Sequence, residues 1–257
     1  GDNVNPYIVK GNCRVIICNE IGNVKRKKLK NDKFLQHFLT NNIISVEGEM
    51  IMKKKQEPFR IQAINRHRMY IDGKEINTLV GLYGCPLKCK YCLNKEQLAK
   101  VKYQEISPEV LAEKVLIDYC YFKATGGGVT FGGGEPLLHS SQIKDFRNYL
   151  PEDIPIRVET SLNVATEHLV CVLGTVDTYI IDVKSLNEKV YMDYTGLNNQ
   201  YVLKNLRILC ESNLQDKCKI RIPNIKGYTT EQDIDDTKAS IKAMGFENLD
   251  IFDYVVR

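Results

Sequence analysis

The sequence has no long apolar run, no secretory signal and no repeat of fixed period. No apolar stretch approaches the ~18 residues that a membrane-spanning helix needs, so no membrane contact is expected. The N-terminal residues show no basic segment followed by an apolar one, so no signal peptide is expected either. Hydrophobic residues make up 43% of the chain and charged residues 26%, which is ordinary for a globular protein with one large core.

The sequence also has no histidine pairs with the spacing of metal ligands, and its number of cysteines is odd. The four histidines are dispersed and form no ligand spacing, while the nine cysteines are an odd number without a secretory signal. That combination argues against a disulfide framework. A reducing cytoplasm is therefore the expected location, because disulfides are rare there and thiols stay free.

Charge says little about partners, since the net charge is only +4. Residues 25–30 and 53–55 are locally basic, and solvated hairpin or helix ends explain them best. A contact with an acidic partner is the alternative, and nucleic acid is not an expected partner.

The order of apolar segments predicts an α/β fold. From about residue 77, strand-like segments alternate with helical ones, and alternation of this kind is typical of a parallel sheet built from βαβ units. Six units predict a partial (β/α)6 TIM-like barrel at residues 76–257, preceded by a β-rich N-terminal extension at residues 1–75 that recruits a substrate or partner. The predicted strands are Thr78–Tyr83, Val129–Phe131, Ile156–Thr160, Val176–Val183, Lys219–Pro223 and Leu249–Val255.

Three cysteines lie close together directly after the first predicted strand. Cys85, Cys89 and Cys92 have the spacing C-x3-C-x2-C within eight residues, so one short loop can direct three thiolates at one centre. Iron–sulfur clusters are held by such thiolates, four of them in a complete cubane. Three ligands without an obvious fourth predict a cluster with one open iron, and an open metal position indicates catalysis.

The ends of the other predicted strands are also rich in polar residues or glycine. Gly132–Pro136 follows the second strand, Glu159, Thr160 and Ser161 end the third, Asp182 and Lys184 end the fourth, and Arg221 lies near the end of the fifth. Active sites of such barrels lie at the carboxyl ends of the strands, so these residues are expected to line one cavity.

Each of these features also has a plain structural explanation. A glycine triplet is commonly a turn, and Asp182 and Lys184 could be a structural ion pair on one face of a strand. Cys13 and Cys18 could hold a metal only with a partner pair, which the sequence does not show. The cysteines outside the loop are expected in the core: Cys13, Cys18, Cys120, Cys171, Cys210 and Cys218.

Together the motifs resemble the radical S-adenosylmethionine (SAM) superfamily. The resemblance rests on the three cysteines with the aromatic Tyr91 before the third, followed by Gly133-Gly134-Glu135-Pro136. Within that superfamily the chain is most similar, over residues 60–255, to activating enzymes of glycyl-radical enzymes, of the pyruvate formate-lyase activase type. The similar segments are Gly84–Asn94, Val129–Leu138, Ile181–Lys184, Asp193–Gly196 and Ile220–Pro223.

The resemblance implies a cofactor pair and a set of residues around it. Cys85, Cys89 and Cys92 would ligate a [4Fe–4S] cluster that carries the catalytic chemistry, and its open iron would bind the amino and carboxylate groups of SAM. The residues expected around SAM are Gly133, Gly134 and Glu135 at the amino group, Lys184 at the carboxylate, Glu159, Thr160 and Asp182 at the methionine end with a monovalent cation, Asn94 and Arg221 at the nucleoside, and Tyr91 as a further cofactor contact.

The implied reaction is reductive cleavage of SAM to methionine and a 5′-deoxyadenosyl radical, which abstracts hydrogen from a protein or peptide. A glycyl-radical enzyme is the leading substrate, and a flavodoxin- or ferredoxin-type protein is the implied electron donor. The alternative is a maturase for a small ribosomal peptide, or an enzyme for a small molecule. A non-enzymatic metal-binding protein would leave Glu135 and Lys184 without a role.

Two departures from the activase pattern stand out. About 75 residues precede the barrel, and the usual Asp-Gly-Pro-Gly segment is matched only by Asp72-Gly73. Val255 stands near the position where activases carry a histidine for SAM.

Overall fold

A computed structural model describes residues 14–18, 24–28, 43–46, 49–52, 56–69 and 74–254. The chain divides into two compact units, Gly1–Gln56 and Glu57–Arg257. The first unit contains two antiparallel strand pairs. Strand β1 (Arg14–Cys18) pairs with β2 (Val24–Lys28), and β3 (Ile43–Val46) pairs with β4 (Glu49–Met52).

The second unit is built on one eight-stranded sheet. Its strands are β5 (Phe59–Arg68), β6 (Asn77–Leu82), β7 (Gln104–Ile106), β8 (Val129–Gly133), β9 (Ile156–Thr160), β10 (Thr178–Asp182), β11 (Cys218–Asn224) and β12 (Leu249–Asp253). The spatial order is β12-β11-β10-β9-β8-β6-β5-β7. Neighbours from β6 to β12 are parallel, whereas β5 pairs antiparallel with both β6 and β7.

The six parallel strands confirm the predicted (β/α)6 order, each within a few residues of its expected position. The helices are α1 (Lys95–Ala99), α2 (Pro108–Val115), α3 (Tyr119–Thr125), α4 (Ser140–Arg147), α5 (Thr166–Val170), α6 (Glu188–Thr195), α7 (Gln200–Glu211) and α8 (Glu231–Ala243). Ser107 begins α2 by accepting a hydrogen bond from Val110 N. No helix in these described parts of the chain is long and apolar enough to cross a membrane.

Strand β5 belongs to the sheet although it precedes residue 76. Phe59 is fully buried, and its ring stacks on Phe131 at 5.3 Å and meets Phe146 edge-on at 6.1 Å. Burying three aromatic rings together stabilises the junction of β5, β8 and α4. The second compact unit therefore starts at Glu57, while a recruiting role for the residues before the barrel stays a prediction.

A buried carboxylate fixes the far end of β5. Asp118 is fully buried and accepts hydrogen bonds from Arg66 Nε at 3.0 Å and from Thr78 Oγ1 at 2.7 Å. His67 Nε2 lies 3.0 Å from the same carboxylate, and its φ of +56° marks an irregularity in the β5–β6 pairing. The irregularity turns Arg66 and His67 towards one acceptor.

The carboxyl ends of the parallel strands do not all stay paired. The β6–β8 ladder continues to Leu82 and Gly133, but the β8–β9 ladder stops at Phe131 and Val158. Beyond that point the β8–β9 ladder ends, although Gly132 and Glu159 still lie close together, since a Cβ on Gly132 would lie 3.4 Å from Glu159 Cβ. The predicted site residues lie at this edge of the sheet.

Candidate functional site

The three motif cysteines lie in the loop that follows β6. All three are free thiols and half-buried. Burial, with Glu135 and the other two cysteines nearby, raises the pKa of Cys85 to about 12. Burial also raises the pKa of Cys89, although the Lys184 ammonium opposes the rise. Cys89 and Cys92 therefore lie near enough to Cys85 to affect its thiol, and Lys184 lies near Cys89.

This donor set fits a [4Fe–4S] cluster. Thiolates are the ligands of such clusters, and the positive Lys184 beside Cys89 favours the deprotonated form that a metal needs. In the part of the chain that the structure describes, no three His, Cys, Asp or Glu residues converge on a single metal ion. A cubane does not require that convergence, because each cysteine binds a different iron.

Two main-chain hydrogen bonds hold the cysteine loop on the end of α6. Lys88 N donates to Thr195 O at 2.8 Å, and Lys90 N donates to Tyr194 O at 3.1 Å. Helix α6 ends there because Gly196 adopts φ +81° as its C-cap. The segment that the resemblance picked out after β10 therefore supports the cysteine loop.

Tyrosine side chains line the same loop. Tyr91 lies 6.1 Å from Tyr194 and 5.7 Å from Tyr228, both edge-on. Tyr254 follows β12 and donates its hydroxyl to Tyr91 O at 2.7 Å. The loop is thus packed on aromatic rings below and tied to the last strand of the sheet.

The glycine turn after β8 lies against the start of the cysteine loop. Gly134 N donates to Leu82 O at 2.9 Å, and Glu135 N donates to Gly84 O at 2.7 Å. A Cβ atom on Gly134 would lie 2.1 Å from Gly84 O. Only glycine allows two main chains to approach this closely.

Asn94 joins the cysteine loop to that turn from the other side. Its Nδ2 donates to Gly133 O at 2.8 Å. The sequence predicted a nucleoside contact for Asn94, and the structure instead shows its amide on the main chain of the glycine turn. The nucleoside contact stays a prediction.

The Glu135 carboxylate is buried and accepts four hydrogen bonds. Oε1 accepts from Thr160 Oγ1 at 2.6 Å and Leu137 N at 3.2 Å. Oε2 accepts from Ser161 N at 2.9 Å and Ser161 Oγ at 2.7 Å. Burial raises the pKa of the Glu135 carboxyl, and the donors from Thr160, Ser161 and Leu137 oppose that rise.

A line of alternating charges crosses the inner face of the sheet. Arg68 Nη2 lies 2.9 Å from Glu159 Oε1, and Arg221 Nη1 lies 3.6 Å from the same oxygen. Arg221 Nε donates to Asp182 Oδ1 at 2.6 Å, and Lys184 Nζ donates to Asp182 Oδ2 at 2.9 Å. Arg68 lies on β5, Glu159 on β9, Asp182 on β10, Lys184 just after β10, and Arg221 on β11.

The pKa shifts of Asp182 and Lys184 follow from this alternation of charges. Burial disfavours the charge on Asp182, but Lys184 and Arg221 outweigh it and lower the pKa. Burial likewise opposes the charge on Lys184, whose pKa is nevertheless raised by Asp182. Both groups are therefore charged near neutral pH, and the Lys184 ammonium is the cation of this line that lies beside the cysteines.

The structure gathers the predicted site residues at the carboxyl ends of the strands: Cys85, Cys89, Tyr91, Cys92, Asn94, Gly133, Gly134, Glu135, Glu159, Thr160, Asp182, Lys184 and Arg221. Val255 lies outside the described residues. Ser161 was predicted at the same strand end as Glu159 and Thr160, but without a role at the cofactor. Sequence reasoning missed Arg68 and Tyr254. Tyr254 precedes Val255, whereas Arg68 had no signal because its strand was assigned to the extension.

Comparison with known proteins identifies the family of the chain. The profile of the Radical SAM superfamily matches residues 79–239. Pyruvate formate-lyase 1-activating enzyme of Escherichia coli (strain K12) is 28% identical over 166 residues, which cover 63% of this chain and 67% of the relative. 4-Hydroxyphenylacetate decarboxylase activating enzyme of Clostridioides difficile (strain 630) is 25% identical over 241 residues, covering 69% of this chain and 75% of the relative.

A solved structure supports the fold. Streptococcus suis SuiB bound to S-adenosylmethionine superimposes with a TM-score of 0.52 at 20% identity, covering 66% of this chain and 38% of SuiB. At this identity the likeness shows the fold alone. The profile covers more than half of the chain, so the chain belongs to the radical SAM superfamily, whose enzymes use a [4Fe–4S] cluster and S-adenosylmethionine.

Proposed function

We propose that this enzyme is a glycyl-radical-enzyme activase. Cys85, Cys89 and Cys92 would hold the cluster, which with SAM and one electron from a reductant would supply the radical chemistry that removes hydrogen from a glycine of a protein substrate. The observation that carries the proposal is the similarity of about two thirds of the chain to two activating enzymes with different targets. The cysteines lie beside the glycine turn, and Lys184 lies beside Cys89, which supports the radical SAM chemistry that an activase needs.

In this proposal the chain's own residues bind and orient SAM. Lys184 pairs with the SAM carboxylate, because it is the ammonium next to the cysteines and is only 12% exposed. Asp182 keeps Lys184 charged and fixes its direction, since Arg221 holds the opposite carboxylate oxygen. The main chain at Gly133 and Gly134 lies close enough to the cysteine loop to meet the amino group.

The remaining expected contacts have less support. Glu159 and Asp182 each have basic partners, so a monovalent cation would compete with those partners and stays a prediction. Arg221 bridges the two carboxylates, and its contact with the nucleoside stays a prediction. Tyr91 is packed among tyrosines beside the cysteines, which agrees with a cofactor contact.

We further propose a reducing cytoplasm as the location and a flavodoxin- or ferredoxin-type protein as the electron donor. Free thiols in the cysteine loop need a reducing compartment. The loop is also basic and accessible, since Lys88, Lys90 and Lys95 are exposed and no acidic residue lies between Gly84 and Lys95. An acidic carrier would be attracted to this surface.

Anaerobic reconstitution with iron and sulfide, followed by dithionite and SAM, tests the chemistry. We expect 5′-deoxyadenosine from the wild type and from Cys171→Ala, and none from Cys89→Ala, which should not retain the cluster. Cys171 is a matched control because it is a free, half-buried thiol on the end of α5.

The substrate is tested with a glycyl-radical enzyme, preferably one encoded beside this gene. We expect a glycyl radical in its electron paramagnetic resonance spectrum when both proteins, SAM and reductant are mixed. SAM cleavage without a glycyl radical would overturn the activase proposal and favour a peptide maturase or a small-molecule enzyme. No SAM cleavage by an intact cluster would overturn both.

A further inference from the structure

One side chain links the turn after β8 to the end of β9. The β8–β9 ladder stops at Phe131 and Val158. Beyond it, Glu135 in the turn after β8 accepts hydrogen bonds from Thr160 and Ser161 at the end of β9. These side-chain hydrogen bonds connect the two strand ends where main-chain pairing has ended.

The Glu135 carboxylate has no acceptor position left for a ligand. Its two oxygens offer about four lone-pair sites, and Thr160, Leu137 and both donors of Ser161 occupy all four. An ammonium group would have to displace a buried donor, which costs free energy.

The turn that Glu135 holds is fixed from its other side as well. Leu162 adopts φ +57°, and its main-chain N donates to Thr160 Oγ1 at 2.9 Å. Asn205 Nδ2 donates to Leu162 O at 2.8 Å and to Val164 O at 2.9 Å. A left-handed leucine persists only where its surroundings enforce it, so the turn has one defined position.

We infer that Glu135 is a positioning residue that sets the distance between the ends of β8 and β9. The inference rests on the proposed function, because those two ends carry Gly133, Gly134 and Glu159, which are expected at the methionine end of SAM. Glu135 acts through Thr160 and Ser161, and its carboxylate does not bind the SAM amino group. The expected contact of the Gly133–Glu135 turn with that amino group is then made by main-chain carbonyls.

Three single variants and one double variant distinguish a positioning role of Glu135 from direct contact between its carboxylate and SAM. Ser161→Ala removes one donor to Glu135 and keeps the carboxylate. Glu135→Gln keeps the length and loses two acceptor sites, and Glu135→Asp keeps the charge but is too short to reach Ser161. Glu152→Gln, on an exposed loop, is the matched control. Each protein is reconstituted, and its iron content, apoprotein Tm and SAM Kd are measured.

Positioning predicts that Ser161→Ala raises the SAM Kd about three- to tenfold at unchanged iron content and Tm. Glu135→Gln and Glu135→Asp should raise it about tenfold or more, the aspartate as severely as the glutamine. Adding Ser161→Ala to Glu135→Gln should cost no further affinity, since both changes remove the same connection.

Direct contact between the Glu135 carboxylate and SAM predicts the opposite effects on SAM affinity. Wild-type SAM affinity in Ser161→Ala, a mild effect of Glu135→Asp, or multiplying effects in the double variant would each overturn the inference. The Ser161→Ala result decides the question even where a Glu135 variant fails to fold. A wild-type protein that carries its cluster but binds no SAM would overturn the proposed function, and this inference with it.

Discussion

Tyr254 and Tyr91 join the two outer parallel strands of the sheet through one hydrogen bond. The Tyr254 hydroxyl, just after β12, donates to the main-chain oxygen of Tyr91 in the loop after β6, at 2.7 Å. An open barrel has no strand pairing between its first and last members, so its rim needs another connection. Here that connection lies beside Cys89, Cys92 and Lys184, whose charges all act on the Tyr254 hydroxyl.

Lys184→Met should weaken SAM binding and leave the cluster intact. The variant keeps the length of the side chain but removes the charge that we assign to the SAM carboxylate, a loss of about 1.5–3 kcal/mol for a charged hydrogen bond. We expect the SAM Kd to rise about 10- to 100-fold at unchanged iron content. Lys189→Met, exposed on α6, is the control, and normal SAM affinity in Lys184→Met would remove Lys184 from the site.

Gly134→Ala should abolish cluster assembly. Its methyl carbon would lie 2.1 Å from Gly84 O and 2.8 Å from Leu82 O, both main-chain atoms that cannot move aside cheaply. The cysteine loop and the glycine turn would have to separate. Gly174→Ala is the matched control, because its Cβ would meet nothing within 4 Å. Iron and sulfide analysis after reconstitution decides, and a full cluster in Gly134→Ala would contradict the observed approach.

Asn94→Ala and Asn94→Asp should release iron faster than the wild type when no SAM is present. Both lose the donor to Gly133 O that joins the loop to the turn, and the aspartate adds a carboxylate facing that carbonyl oxygen. Loss of this hydrogen bond should destabilise the contact between the cysteine loop and the glycine turn by about 1 kcal/mol. The aspartate variant should destabilise that contact more. Transfer of iron to a chelator gives the rate, with exposed Asn148→Asp as control. If Asn94 serves only the nucleoside, iron release without SAM will not change.

Asp118→Asn should destabilise the second unit by about 2–3 kcal/mol at pH 7, because buried donors lose a charged acceptor. Burial disfavours the Asp118 charge, but the hydrogen bonds of Arg66 and Thr78 outweigh it and lower the pKa. Since the folded pKa lies below the unfolded value of about 3.9, this stabilisation is complete above that value and is lost as the pH falls through the folded pKa.

Urea unfolding at neutral and acidic pH measures this difference. The free energies of unfolding of the wild type and Asp118→Asn should converge in acid, whereas exposed Asp235→Asn should follow the wild type throughout. A constant gap between the wild type and Asp118→Asn at every pH would show that the Asp118 charge is not its cause.

The parallel strands could be predicted from the sequence because each is a short apolar segment bounded by turn residues. The cysteine loop could be predicted because its three cysteines are close together in the chain. Ile156–Thr160, for example, was predicted at its observed limits. The helices Lys95–Ala99 and Glu188–Thr195 were missed. Both are short and amphipathic only in part, and tertiary contacts with the cysteine loop determine the second.

Partners that depend on separation in the chain were beyond sequence reasoning. Arg68 and Glu159 are 91 residues apart, and nothing local in either segment indicates the pair. The direction of the Glu135 side chain was equally hidden, because the motif places it beside SAM but its donors come from the next strand. The motifs predict which residues lie near the site, whereas tertiary packing determines which of their atoms are in contact.

The Tyr91–Tyr254 contact also bears on the order in which the protein is made. The two residues are 163 positions apart, so the cysteine loop leaves the ribosome long before its partner strand is synthesised. Contacts between distant segments form late, because the intervening chain must be ordered first. We therefore expect nascent chains that stop before residue 254 to hold the cysteine loop on α6 and the glycine turn but to lack its hydrogen bond to the end of β12, and iron loading to become more stable once that bond forms.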